Sequence, residues 1–142
     1  MLRNNGATGI DRETVELFEK RKEQGTAELA RDVLAGTYRP KAVRRTWIPK
    51  PGTGEKRPLG IPTVRDRVVQ TALRYALEPI FDARFAERSF GFRPGRGCKD
   101  ALRVVERLMH EGRVWIVDAD LKSYFDSIPH EKLMKRVEEE VS

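Results

Sequence analysis

The chain has 142 residues, of which 35% are charged and 39% hydrophobic, and its formal net charge is +6. No apolar run is long enough to span a bilayer, which excludes an integral membrane protein, and the single cysteine, Cys98, excludes an internal disulfide or a cysteine-cluster metal site. The basic excess favours polyanionic partners, because phosphate contacts release counterions. The N-terminus lacks the apolar core of a signal peptide, so a cytoplasmic protein is expected.

Two helices are predicted near the start of the chain. Residues 1–10 are rich in Asn and Gly, and we expect a loop there. Asp11 is placed to cap a helix that Gly25 ends, and Thr26 is placed to begin a second helix that Gly36 closes.

A β-hairpin is predicted next. The extended segments VRRTWIPK and RPLGIP flank PGTGEK, which is a turn signal. Lys50 and Arg57 stand on the two sides of this turn. They are either solvated turn charges or charge-assisted donors to a triphosphate. The turn is not a P-loop, because the GxxxxGK[ST] pattern is absent.

The clearest helical period covers residues 63–85, where apolar side chains repeat at spacings of three and four. Thr63, after Pro62, is predicted to cap this helix. Arg65 and Arg67 lie near its N-terminus, where positive charge opposes the helix dipole. An anionic ligand would offset that cost, which favours a functional role for these arginines.

The loop SFGFRPGRG, residues 89–97, places Arg93 and Arg96 beside glycines and a proline, with Phe90 and Phe92 nearby. Guanidinium groups and an accessible backbone suit a phosphodiester chain, and the aromatic rings suit stacking on bases or ribose. The alternative is a tight helix connection with two solvent-exposed arginines and two core phenylalanines.

The last third of the chain is predicted to contain a helix, a strand and a helix. The first helix begins after the Gly/Arg loop and ends at Gly112. The apolar segment RVWIVDAD, residues 113–120, suits a buried central strand. Pro129 suits the first turn of a last helix, whose period continues to Ser142, so we expect the domain to continue beyond this point.

Two aspartates share one face of that predicted strand. Asp118 and Asp120 are two residues apart, and two carboxylates on a core-facing surface are costly unless they are neutralised. Mg²⁺, which prefers carboxylate oxygens, would neutralise them. The alternative is a pair of ordinary surface residues.

The spacing Asp-Leu-x-x-x-Phe-Asp-x-Ile-x-His, from Asp120 to His130, resembles the first catalytic motif of group II intron reverse transcriptases. Further blocks occur in the order that this family shows and cover nearly the whole chain. They are GATGID at 6–11, IPKPGTGEKRPLGIPTVRDRVVQTAL at 48–73, LEPIFDARFAERSFGFRPGRG at 77–97 and WIVDADLKSYFD at 115–126.

The resemblance implies an α+β fold and a two-part organisation. Residues 1–112 would form helix-rich fingers with a β-hairpin and N-terminal extension helices. Residues 113–142 would form the beginning of the palm of a right-hand polymerase, with its first strand and helix and the first catalytic motif.

The resemblance also implies roles at the catalytic centre. Asp120 matches the catalytic, metal-binding aspartate, with the Leu121 backbone carbonyl as a second ligand of Mg²⁺ or, alternatively, Mn²⁺. Phe125 matches the aromatic residue under the incoming sugar. Lys50 and Arg57 match residues that hold the nucleotide triphosphate.

Three arginines match blocks that line the template–primer path, namely Arg65, Arg93 and Arg96. Asp118 does not match the catalytic position and is expected only to support the site. The implied partners are an RNA template or intron RNA, a DNA primer and dNTP, with no membrane.

The family also uses a Tyr-x-Asp-Asp motif, and this chain has no adjacent Asp pair. We therefore expect the N-terminal part of a bacterial RNA-directed DNA polymerase that is inactive in isolation. The alternatives are an RNA-binding module that assists splicing as maturases do, and a reverse transcriptase of the CRISPR-associated or diversity-generating type. A third interpretation is a fragment that forms homo-oligomers through exposed apolar helix faces.

Overall fold

The computed structural model describes residues 6–141, so the loop expected at residues 1–10 lies partly outside the described residues. The described residues form an α+β arrangement of helices and one two-stranded antiparallel sheet. In chain order the elements are α1 (Val15–Lys20), α2 (Lys22–Leu34), β1 (Arg44–Pro49), β2 (Lys56–Ile61), α3 (Val64–Asp82), α4 (Cys98–His110), α5 (Tyr124–Ser127) and α6 (His130–Val141).

The chain divides into two units, Met1–Tyr75 and Ala76–Ser142, and α3 continues from the first into the second. The predicted boundary between residues 112 and 113 falls inside the second unit. Among residues 6–141, none of the helices combines the length and the apolar content that crossing a lipid bilayer requires.

The break between α1 and α2 differs from the prediction. Thr14, not Asp11, caps α1 by accepting a hydrogen bond from the Leu17 N–H, and α1 ends at Lys20, with Arg21 as its C-cap. Gly25 lies inside α2 and does not end a helix. A Cβ at this position would lie 3.0 Å from the Phe18 ring, so the close packing of that ring explains the glycine.

The C-terminus of α2 follows the prediction. Gly36 adopts a φ of +65°, in the left-handed region that suits glycine. Its N–H donates to the Val33 carbonyl, and the Thr37 N–H donates to the Asp32 carbonyl. This pair of bonds is the Schellman motif, which satisfies carbonyls that the helix end leaves free.

The predicted hairpin is confirmed. β1 and β2 pair antiparallel, with Ile48 opposite Arg57 and Pro49 opposite Lys56. Beyond the strands, the Lys50 N–H donates to the Glu55 carbonyl at 2.9 Å, so the pairing continues into the turn.

The core of the first unit forms around the N-terminus of α3. Val64 packs with apolar side chains of α1 and α2, namely Val15, Phe18 and Leu29. Thr63 caps α3 as predicted, because its Oγ1 accepts from the Asp66 N–H, and it donates in turn to Asp66 Oδ2 at 2.7 Å. Asp66, only 4% exposed, also accepts hydrogen bonds from the Tyr38 hydroxyl and the Lys41 N–H.

The network around Asp66 fixes its charge state. Burial alone would raise the pKa of Asp66, but the bonds from Tyr38, Thr63 and Lys41 together lower it. Burial, together with the bond to Asp66, raises the pKa of Tyr38 to about 12. A charged Asp66 therefore joins α3 to the segment that follows α2.

The GATGID block, residues 6–11, forms a strap across the first unit. The Arg67 guanidinium donates to the Ala7 carbonyl at 3.0 Å, and Arg44 Nε donates to the Thr8 carbonyl at 2.8 Å. Gly9 is buried, and a Cβ there would lie 2.6 Å from the Thr63 Cα. The strap therefore requires a glycine where it passes the start of α3.

In the second unit the predicted helices form, but the predicted strand does not. α4 begins after Gly97, whose N–H donates to Asp100 at 2.9 Å, and Gly112 follows the helix end with a φ of +85°. Residues 113–121 adopt no regular structure, and Trp115 and Val117 are more than nine-tenths exposed. The prediction of a buried strand is wrong for this structure, because no described segment pairs with these residues or covers either of their faces.

Candidate functional site

The hairpin places the two predicted triphosphate-binding cations together. Because side chains alternate along a strand and Ile48 pairs with Arg57, these two residues project from one face of the hairpin. The backbone bond from Lys50 to Glu55 extends this register, so Lys50 belongs to the same face as Arg57. Lys56, paired with Pro49, belongs to the opposite face.

A carboxylate already contacts one of these cations. Lys50 Nζ lies 2.6 Å from Glu55 Oε2, and both side chains are substantially exposed. The Arg57 side chain is exposed, and its guanidinium makes no hydrogen bond or ion pair within residues 6–141. An anion approaching this face would therefore meet one free guanidinium and one ammonium that Glu55 partly neutralises.

Arg65, predicted to face the template–primer path, is anchored within the first unit. Its Nη2 lies 3.4 Å from Asp32 Oδ2 of α2, and its side chain is 28% exposed. The pair places a carboxylate beside the arginine near the N-terminus of α3, where positive charge is otherwise unfavourable. Part of the guanidinium remains accessible to solvent.

The turn between α3 and α4 directs Arg93 inward. Arg93 Nε donates to Asp82 Oδ1 at 2.7 Å, and its Nη2 donates to the Asp82 carbonyl at 3.0 Å. Its Nη1 donates to the carbonyls of Ala86 and Ser89, and the guanidinium lies 5.4 Å from the centre of the Phe85 ring. The side chain is only 6% exposed, so four of its five N–H groups serve the turn itself.

This arginine also shifts the titration of its partner. The hydrogen bond from Arg93 holds the pKa of Asp82 below its ordinary value, against a smaller opposing effect of burial. The charges of Arg93 and Arg96 act in the same direction. Asp82 is therefore present as a carboxylate near neutral pH.

Two other members of the turn face solvent. Arg96 is exposed, although its Nη1 donates to the Glu87 carbonyl. Phe92 is fully exposed and has a φ of +56°, whereas Phe90 is half-buried. Arg93 and Arg96 thus share one turn but present different surfaces.

The residues predicted for the catalytic centre lie on an exposed stretch of the second unit. Asp118 and Asp120 are both exposed, Leu121 is 70% exposed and Phe125 is 82% exposed. The Phe125 ring lies edge-on to the Tyr124 ring, with centroids 5.4 Å apart. Within the described residues, no hydrogen bond or ion pair joins this stretch to Arg93 or Arg96.

The fit of this stretch to a divalent metal is partial. Among residues 6–141, no group of three or more His, Cys, Asp or Glu side chains is placed to hold a metal ion. Asp120 and the Leu121 carbonyl supply oxygen ligands of the kind that Mg²⁺ prefers, but Mg²⁺ requires near-octahedral coordination. The described residues therefore do not form a complete Mg²⁺ or Mn²⁺ site by themselves.

Sequence reasoning did not identify the acidic partners of the predicted cations, which are Asp32, Glu55 and Asp82. Asp82 is 11 residues from Arg93, and Asp32 is 33 residues from Arg65, so no local period indicates either pair. The pairing of Glu55 with Lys50 is local by comparison, because Glu55 lies inside the turn that separates the two strands.

Comparisons with known proteins identify a family and several relatives of the chain. The reverse transcriptase (RNA-dependent DNA polymerase) family matches residues 48–141. Protein YkfC of Escherichia coli is 40% identical over 139 residues, which cover 94% of this chain and 36% of that protein. Group II intron-encoded protein LtrA of Lactococcus lactis is 40% identical over 133 residues, which cover 92% of this chain and 22% of that protein.

A plant relative, nuclear intron maturase 2 of Arabidopsis thaliana, is 44% identical over 64 residues, which cover 45% of this chain and 9% of that protein. The chain spans about a third or less of the length of these relatives.

Proposed function

The chain belongs to the reverse transcriptase family, with group II intron-encoded proteins among its relatives, and from this premise we propose that it is the template- and nucleotide-binding part of an RNA-directed DNA polymerase. The observation that carries the proposal is the hairpin within the matched residues, whose register sets Lys50 and Arg57 on one face beside an open turn. In the whole protein this part would act with a palm that begins near residue 113.

Lys50 and Arg57 are proposed to hold the triphosphate of an incoming dNTP. A triphosphate carries several negative charges, and donors that are themselves charged form shorter and stronger hydrogen bonds to it than neutral donors do. Arg57 offers a free planar fork, whereas Lys50 must first release Glu55. Because that ion pair is solvent-exposed, its release costs little.

Phe125 and Asp120 are proposed to act at the reacting end of the nucleotide. The exposed Phe125 ring would form a surface under the sugar and disfavour a 2′-hydroxyl there. Asp120 and the Leu121 carbonyl would contribute part of a Mg²⁺ site, with Mn²⁺ as the alternative ion. Since two ligands do not complete such a site, we propose that the isolated chain does not synthesise DNA.

The template and primer are proposed to contact basic residues of α3 and, as a separate contact, of the turn before α4. Arg96 is exposed and suits direct contact with a phosphate. Arg65 retains part of its surface beside Asp32. Arg93, with one N–H remaining, contributes mainly by holding the turn in shape.

A maturase-type role in intron RNA splicing is a second candidate, which the name of the plant relative, an intron maturase, favours. In that case the chain would bind structured intron RNA whether or not dNTP is present.

The proposal is tested by measuring the binding of the chain to a fluorescent RNA template annealed to a DNA primer, with and without dNTP. We expect RNA binding that weakens steeply with salt and a separate, saturable site for dNTP whose affinity Arg57→Ala reduces. Binding of the RNA without any dNTP site would favour the maturase role instead. A chain that binds neither ligand would contradict both.

A further inference from the structure

Phe92 combines an exposed side chain with an unfavourable backbone conformation. Its side chain is fully exposed, with a relative accessibility of 103%. Its backbone φ of +56° lies in the left-handed region, which is unfavourable for a bulky residue by roughly 1–2 kcal/mol. Glycines on both sides, Gly91 and Gly95, have open space where a Cβ would be. The chain therefore carries a costly conformation at the one aromatic residue of the turn that packs against nothing.

The neighbouring residue holds this conformation in place. Arg93 is bonded to Asp82 and to the carbonyls of Ala86 and Ser89, and it is almost completely buried. The anchored Arg93 fixes the backbone that follows Phe92, and the Phe92 ring stays fully exposed beside it. Backbone strain that surrounding contacts maintain is typical of residues that meet a ligand.

The charge around the turn indicates what such a ligand would be. Residues 84–99 contain four exposed cationic side chains, Arg84, Arg88, Arg96 and Lys99, and one carboxylate, Glu87. Arg84 pairs with Glu140 at 2.9 Å, whereas Arg93 is buried and paired with Asp82. A strongly basic surface is unfavourable for docking another basic chain and favourable for a polyanion. An exposed aromatic ring among cations is the combination by which single-stranded nucleic acids are bound, with bases on the ring and phosphates on the cations.

We propose that Phe92 is a stacking platform for one unpaired base of single-stranded RNA, with Arg96 bonding an adjoining phosphate and Arg93 serving as a positioning residue. The inference rests on the proposed function and deepens it, because it assigns the base contact at the template-binding surface. A base within a duplex is already stacked on its neighbours, so the platform selects unpaired RNA. The contact is tolerant of sequence, since every base has a flat face.

The test measures affinity of the whole 142-residue chain for a labelled uridine oligomer about 12 nucleotides long, a length typical of single-strand sites. We expect Phe92→Ala and Phe92→Leu each to weaken binding about tenfold, and Phe92→Trp to retain it. An oligomer of the same length without bases should bind the wild type and Phe92→Ala equally, because only the phosphate contacts remain. The salt dependence should be unchanged in Phe92→Ala, since no charge is removed.

Two variants separate this role from a structural one. Phe92→Gly suits the positive φ, so it should unfold at a temperature no lower than the wild type and still lose the same affinity. Tyr75→Ala removes another exposed aromatic side chain, on α3, and should leave affinity unchanged.

Three results would overturn the proposal. One is equal affinity of the wild type and Phe92→Ala for the uridine oligomer. This result would leave the proposed function intact. A second is an equal loss of affinity for the oligomer without bases. A third is light scattering in which the wild-type protein self-associates and Phe92→Ala is a monomer. This result would assign the ring to a contact between copies of the chain. Failure of the wild type to bind any RNA would instead overturn the proposed function together with this inference.

Discussion

Arg93 Nε and Asp82 Oδ1 lie 2.7 Å apart, and this pair closes the turn that follows α3 back onto the last residue of that helix. The same guanidinium donates two further hydrogen bonds to backbone carbonyls of the turn. An arginine in a basic motif is readily taken for a phosphate ligand, yet here most of its donors have intramolecular partners.

The Arg93–Asp82 pair should make stability depend on pH. Because the folded chain lowers the pKa of Asp82 from 3.8, the pair stabilises fully above that pH, and the contribution is lost as pH falls through the lowered value. Thermal unfolding of the wild type and Asp82→Asn between about pH 2 and pH 6 should show a difference that shrinks on acidification. A difference that stays constant over this range would show that the Asp82 charge contributes nothing.

Arg93 and Arg96 should differ in what their loss changes. Arg96→Ala should reduce the slope of log affinity against log salt by about 0.7, the value for one phosphate contact on a single strand. Arg93→Ala should leave the backbone carbonyls that Arg93 now bonds without a donor, and it should lower the unfolding temperature by roughly 5–10 °C. The salt titration and a thermal melt of both variants are the measurements. Equal slopes and equal melting temperatures would mean that the two arginines are equivalent.

The hairpin face should respond to charge according to strand register. Glu55→Gln frees Lys50 and should tighten dNTP binding by about two- to fivefold at low salt, the range expected for an exposed ion pair. Arg57→Ala should weaken that binding, while Lys56→Ala, on the opposite face, serves as the matched control. Binding of a fluorescent dNTP analogue measures all three. If Lys56→Ala weakens binding as much as Arg57→Ala, general charge and not the face determines the affinity.

Gly9 should not tolerate a larger residue. The Cβ of Gly9→Ala would lie 2.6 Å from Thr63 Cα, so backbone must move, at a cost of about 2 kcal/mol. Gly54→Ala, with no atom within 4 Å of the new Cβ, is the control. Urea unfolding compares the two variants. Equal free energies of unfolding would mean that the strap does not press on the start of α3.

The isolated chain should give no product in primer extension on poly(rA)/oligo(dT) with dTTP and Mg²⁺ or Mn²⁺. The reason is that residues 6–141 offer no group of three or more metal-binding side chains. Gel analysis with an active reverse transcriptase as positive control measures this. Synthesis by the chain, lost in Asp120→Asn, would show that this stretch completes a metal site without further carboxylates.

Local signals predicted most of the helices and the hairpin. The left-handed Gly36 and the Thr63 cap act through bonds to residues within a few positions, and such bonds can be anticipated from sequence. Gly25 misled the prediction, because its absent side chain serves the Phe18 ring and not a helix end. A glycine in a helical pattern can mark either a helix end or a close contact with a neighbouring side chain, and only the packing distinguishes the two.

The shared face of two predicted cations could be derived from the sequence, whereas the contacts of the other predicted residues could not. The register that unites Lys50 and Arg57 follows from a turn whose length is evident in the sequence. The inward direction of Arg93 depends on Asp82, 11 residues away across a bend, which no periodicity reveals. The strand expected at residues 113–120 required a partner segment, and apolar content alone does not supply one.

The strap at residues 6–11 is held through the carbonyls of Ala7 and Thr8, and their side chains take no part in those bonds. Attachment of this segment is thus nearly independent of the amino acids at two of its positions, while it is strict at Gly9. A chemical probe on the side chain of residue 7 or 8 should therefore leave these hydrogen bonds in place. A spin label or fluorophore there would report directly on whether the segment stays in place when RNA binds.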